Sequence, residues 1–120
     1  MNKEQTLHSF WSSFGLKAYD ELSVPDDAAL PYITYEVSTD SFGNVVALAA
    51  SIWYRSTSWA EVTAKEHEVY ERIGRGGVII DYDGGALWIQ RGAPWARRMN
   101  DPSDDMIRRI ALNVSVEYLD

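Results

Sequence analysis

Few residues in this chain have the types and spacing that chemistry requires. His67 follows Glu66 as in a zinc-protease helix, yet no second histidine stands four residues away, and His8, the other histidine, is remote in sequence. A zinc site needs about three or four protein ligands brought together, so both histidines read better as solvent-facing helical residues. There is no Gly-x-Ser-x-Gly elbow, and two isolated histidines give a serine triad little to build on. Gly74, Gly76 and Gly77 follow a helical pattern and precede a strand pattern, the reverse of what phosphate binding at a helix N-terminus needs. Asp81 and Asp83 before Gly84 resemble the opening of a calcium loop, but its later ligands and closing glutamate are missing, which favours a hairpin turn. Asp104 and Asp105 have the types for an acid and a base, although adjacent loop carboxylates are commonly just solvated. The chain has no cysteine, which removes thiolate nucleophiles, disulfides and cysteine-based zinc sites together. The expectation is a protein that is not an enzyme and has no catalytic residue, cofactor or metal.

What remains is a surplus of aromatic and arginine side chains. The tryptophans are Trp11, Trp53, Trp59, Trp88 and Trp95, alongside seven tyrosines. Trp11 and Trp59 fall on apolar helical stripes and read as core. Trp53 and Trp88 fall on strands beside polar neighbours, and Trp95 falls in an expected loop beside Arg97 and Arg98. Tryptophan and arginine dominate protein interfaces, so Trp53, Arg55, Trp88, Trp95, Arg97 and Arg98 are the candidate partner-binding residues. The net charge of −7 repels phosphate and anionic lipid on average. A nucleic-acid surface built from Trp95, Arg97, Arg98, Arg108 and Arg109 is the weaker alternative.

These residues must be carried by a small set of elements. Leu7, Phe10, Trp11 and Phe14 recur at helical spacing behind an Asn2–Gln5 capping box, predicting a helix from Lys3 to Phe14 that Gly15 ends. Gly15 to Pro31 reads as loop. Tyr32 to Thr39 alternates as a strand, Asp40 to Asn44 as a hairpin turn, and Val45 to Arg55 as a second strand. That second strand is apolar on both faces, with Val46, Leu48, Ala50, Ile52 and Tyr54 on one and Val45, Ala47, Ala49 and Trp53 on the other, so it calls for cover on both. Ser58 and Glu61 suggest a second capping box, opening a helix that Gly74 ends. Val78 to Tyr82 and Ala86 to Arg91 form a tight hairpin, Gly92 to Asp105 a long surface loop, and Ile110 to Tyr118 a closing strand. The expected fold is a single α+β domain over residues 1–120, an antiparallel four- to five-stranded sheet flanked by two helices in the order αββαβββ. No apolar run approaches the roughly 20 residues of a membrane span.

Several of these segments resemble a known family. They are Pro31 to Glu36 (PYITYE), the strand ending Ile52, Trp53, Tyr54 and Arg55, the segment Trp59 to Ile73, Arg75 to Ile80 ahead of a Gly-Gly hairpin, and the closing strand with Arg108, Arg109 and Ile110. Together they look like the tail terminator, or tail completion (tail-to-head joining), proteins of long-tailed bacteriophages. The resemblance implies a subunit of a ring, usually a homohexamer, that caps the last ring of tail tube protein and offers a docking face to the head-tail connector protein. It implies a place at the tail-head junction of the virion after assembly in the host cytoplasm, with DNA only passing through the lumen. A head-completion adaptor, stopper or minor capsid protein of the same junction is the alternative within this class.

Overall fold

The computed structural model describes residues 1–40 and 44–120. The first helix, α1 (Lys3–Trp11), begins as the sequence indicates: the Asn2 side chain accepts from the Gln5 N–H at 2.8 Å, and the Gln5 side chain accepts from the Asn2 N–H at 3.0 Å. Its stripe of Leu7, Phe10 and Trp11 is buried, and a 3₁₀ turn (Ser12–Phe14) adds buried Phe14 before Gly15 at φ +78° ends the run. Strands β1 (Lys17–Asp20), β2 (Tyr32–Tyr35) and β3 (Val45–Arg55) follow, then α2 (Ala60–Ile73), then β4 (Val78–Tyr82), β5 (Gly85–Met99) and β6 (Ile107–Leu119).

All six strands share one sheet in the order β1-β2-β3-β6-β5-β4, antiparallel except for the parallel pair β1 and β2. The α+β class therefore holds. The sheet, however, is six-stranded and mixed rather than antiparallel with four or five strands, and the element order is αβββαβββ rather than αββαβββ. Both departures trace to pairing with a strand distant in sequence. Residues 17–20 lie in a stretch that is polar and acidic downstream, yet Ala18 fills the core and the main chain pairs with β2. Gly92 to Asp105 is mostly strand, not loop. Here β5 passes through Gly92 and Pro94 in a bulge, with Arg91 opposite Val114 and Ala96 already opposite Leu112. A bulge needs no ladder N–H from the proline, so Pro94 does not stop the strand. The turn expected at Asp40 to Asn44 includes residues 41–43, outside the described residues.

A third departure is at the start of α2. Ser58 makes no capping box: its hydroxyl accepts from the Ala60 N–H at 3.0 Å, and Trp59 occupies the cap position without a side-chain bond. The helix ends at Gly74, φ +75°, as its position suggests.

The longest pairing joins β3 and β6, from Val45 opposite Glu117 to Arg55 opposite Ile107. Alternation sends Leu48, Ala50, Ile52 and Tyr54 of β3, and Ile110, Leu112, Val114, Val116 and Tyr118 of β6, to one face, where all are buried. Both helices pack on that face. Because α1 touches both edge strands, β1 and β4, the sheet curls around it. Helices and core thus occupy the inside of the curl, and no described element covers the outside.

Candidate assembly surface

The outer face is the half of the sheet that the fold leaves to solvent, and it carries much of the aromatic surplus. Register aligns Lys17, Tyr32, Trp53, Arg109 and Met99 in one row across five strands. Tyr32 lies 6.3 Å from Trp53 between ring centroids, and Tyr19 meets Tyr32 edge-on at 5.6 Å. The Arg109 guanidinium stacks 4.4 Å from the Trp53 ring centroid, a cation held against the negative face of the indole. Beneath this row are two buried hydroxyls, both satisfied: the Trp53 indole N–H donates to Thr34 Oγ1 at 2.9 Å, and Arg109 Nε donates to Ser51 Oγ at 3.0 Å. These bonds fix the orientation of the indole and the guanidinium while one surface of the row stays open. The apolar strip beside it, Val45, Ala47 and Ala49, is exposed or half-buried.

Arg55, at the end of β3, pairs with Asp104. The Met106 backbone N–H, and then Arg55, hold the Asp104 carboxyl below the usual carboxylate range. Asp101 is lowered similarly by the hydroxyl and N–H of Ser103. These two acids shape the β5–β6 connection through turns that stabilise their charged forms.

Trp88 lies towards the opposite end of the outer face, across from Ile79 and Glu117, and its indole N–H donates to the Gly76 carbonyl at 2.9 Å. Arg97 is exposed on the outer face opposite Ala111. Trp95 and Arg98, by contrast, turn to the helix side. The Trp95 indole N–H donates to Glu66 Oε1 at 2.6 Å, and its ring meets Tyr70 edge-on at 5.9 Å. Arg98 and Arg108 both stack on Trp59, at 4.7 and 5.5 Å from its centroid. Of the six candidates, then, Trp53, Arg55, Trp88 and Arg97 share the outer face, whereas Trp95 and Arg98 fasten α2 to β5. The same split divides the nucleic-acid set, with Arg97 and Arg109 outside and Arg108 inside.

Tyr19 and Tyr32 were not singled out by sequence reasoning. Their signal was alternation in short strands: with Lys17–Asp20 read as a strand, Lys17 and Tyr19 fall on one face and Ala18 on the other.

The inward position of Trp95 predicts a stability defect without an assembly defect. Trp95→Ala should lower folding stability by about 2 kcal/mol, since a half-buried ring and the partner of Glu66 are both lost. Urea denaturation should report that loss with self-association unchanged.

The concavity lined by Ser13, Phe14, His67, Glu68, Glu71 and Arg72 is open, and the Ser13 hydroxyl there donates to the Phe10 carbonyl at 2.6 Å. Among the described residues, no three His, Asp or Glu side chains gather to hold a metal. His8 Nδ1 sits 3.0 Å from the Tyr35 hydroxyl and its Nε2 3.2 Å from Ser12 Oγ, while His67 is exposed beside Glu66. No known family, curated protein or solved structure matches the chain. The arrangement itself, an uncovered sheet face with fixed aromatic and cationic side chains, is suited to docking against another surface.

Proposed function

We propose that this chain is an assembly subunit, and that the assembly is the ring that terminates a phage tail tube and joins it to the head connector. The observation that carries the assembly reading is the outer face. It exposes Val45 at 59% and Ile79 at 60% and carries Trp53 and Trp88, yet no described helix or strand covers it. Large apolar and aromatic side chains left on an uncovered face are what an interaction surface presents. A symmetric ring supplies the missing cover from its own copies. The choice of tail terminator rests on the sequence resemblance, whose segments belong to β2, β3, α2, β4 and β6.

Electron microscopy of the purified chain mixed with tail tubes of the phage that encodes it tests this reading. The expected result is a ring on one tube end, and deletion of the gene should give overlong or headless tails. Tails of normal length joined to heads after deletion would refute it. Tails of normal length with heads that leak DNA would instead indicate an adaptor or stopper of the same junction. Salt-sensitive binding of single-stranded DNA that weakens with Arg97→Ala would favour the nucleic-acid reading.

A further inference from the structure

The outer face is not uniform along the strands. At the end where β3 and β5 finish and β6 begins, Lys17, Arg55, Arg97 and Arg109 surround Tyr19, Tyr32 and Trp53. At the other end, Asp81 and Glu117 sit among Val45, Ile79 and Trp88. Arg55 is occupied by Asp104 and Arg109 by Trp53 and Ser51. Lys17 and Arg97 at the first end, and Asp81 and Glu117 at the second, have no hydrogen bond or ion pair from their side chains among the described residues. In a chain with 18 acidic and 11 basic side chains, this places two unpaired cations and two unpaired anions at opposite ends of one bare face.

We infer that the occupant of this face is a second copy of the chain, docked head to tail so that the cationic aromatic end of one copy meets the acidic apolar end of the next. The identity of the partner follows from charge: the face contains both halves of a complementary pair, so it needs no foreign surface to neutralise it. Opposite ends can meet in an antiparallel two-fold pair, which closes after two copies, or in a staggered contact, which leaves the second end of each copy for the next; the ring reading selects the staggered contact. A contact between two different patches is heterologous, and when its rotation closes it generates a ring. The inference rests on the ring reading above and specifies the subunit contact within it.

Charge reversal separates the possibilities. Lys17→Glu with Arg97→Glu makes both ends acidic; Asp81→Lys with Glu117→Lys makes both ends basic. Sedimentation velocity of each double variant in low salt should show self-association weakened on the order of tenfold or more, because like charges then face each other. An equimolar mixture should restore assembly, as should all four substitutions in one chain. Unchanged urea midpoints would verify that the fold is kept. If either double variant assembles like the parent, or if the mixture fails to recover, the contact is overturned. Recovery only as far as a two-fold dimer would overturn the head-to-tail geometry. If the reversals behave as described but the ring never caps a tail tube, this contact stands and the tail-terminator reading falls. If capping occurs with assembly unaffected by the reversals, the outcome is the opposite.

Discussion

Gly77→Ala is expected to cost about 3 kcal/mol of folding stability, while Gly76→Ala, one residue earlier, should change it by less than about 1 kcal/mol. Gly77 sits at φ +83°, in the left-handed region, where a side chain costs roughly 1–2 kcal/mol. A Cβ there would also come within 2.6 Å of the Ile89 carbonyl oxygen and of Trp88 Nε1, and within 2.8 Å of Gln90 Cγ. The first of these is main chain of β5, which β6 holds from the other side, so it cannot give way. The second is the indole whose N–H bonds the Gly76 carbonyl, so relief by rotating it would sacrifice that bond. Gly76 has ordinary backbone angles and open space where a Cβ would go. Urea unfolding of the two variants makes the comparison, and equal midpoints would show that the α2–β4 turn has more slack than its geometry indicates. The change also matters for assembly, because Trp88 belongs to the outer face.

Which parts of this molecule could be read from its sequence follows from how local the determining forces are. The capping box at Asn2 and Gln5, the stripe from Leu7 to Phe14 and the alternation from Ile110 to Tyr118 are patterns complete within one element, and each forms as its spacing implies. The strand β1 is different. Four residues, Lys17–Asp20, come just after Gly15 and Leu16 and precede a mostly polar stretch, and only their partner β2, beyond an 11-residue connection, makes them a strand. Gly92 and Pro94 are strand breakers by local chemistry, and the bulge that absorbs them is stabilised from β6: Asn113 Nδ2 donates to the Pro94 carbonyl at 2.8 Å. That error moved Trp95 from the α2 interface, where Glu66 and Tyr70 hold it, to an imagined surface loop. The doubly apolar character of Val45 to Arg55 was legible, and its outer half is the surface left uncovered. The cationic and acidic ends of that surface were not, since the strand order that brings Lys17 into a row with Arg109 exists only in three dimensions.

Tyr118 provides the second large effect, visible in alkali. Its side chain has no exposed surface, its hydroxyl donates to the Ser38 carbonyl at 2.7 Å, and burial pushes its pKa up to about 12. Burial also raises Tyr35, Tyr54 and Tyr82. An unfolded tyrosine ionises near 10, so between pH 10 and about 12 the unfolded chain releases protons that the native state still holds. Stability contributed by the neutral hydroxyl is therefore complete below pH 10 and is lost as pH rises through the folded value. For Tyr118 the loss should reach about 2 kcal/mol, allowing for partial screening. Tyr118→Phe should cost about 1 kcal/mol at pH 7 through the lost hydrogen bond, yet decline less steeply in alkali, so the two stability curves converge and cross. Lys3, held charged above its usual range chiefly by its hydrogen bond to Asp120, loses that pair in the same window, but it does so in both proteins. Urea midpoints measured from pH 7 to 12 decide the matter. Curves that stay parallel throughout would mean that the Tyr118 proton is not what alkali removes, whereas convergence above pH 10 would identify the inner end of β6 as the point where high pH opens the curled sheet.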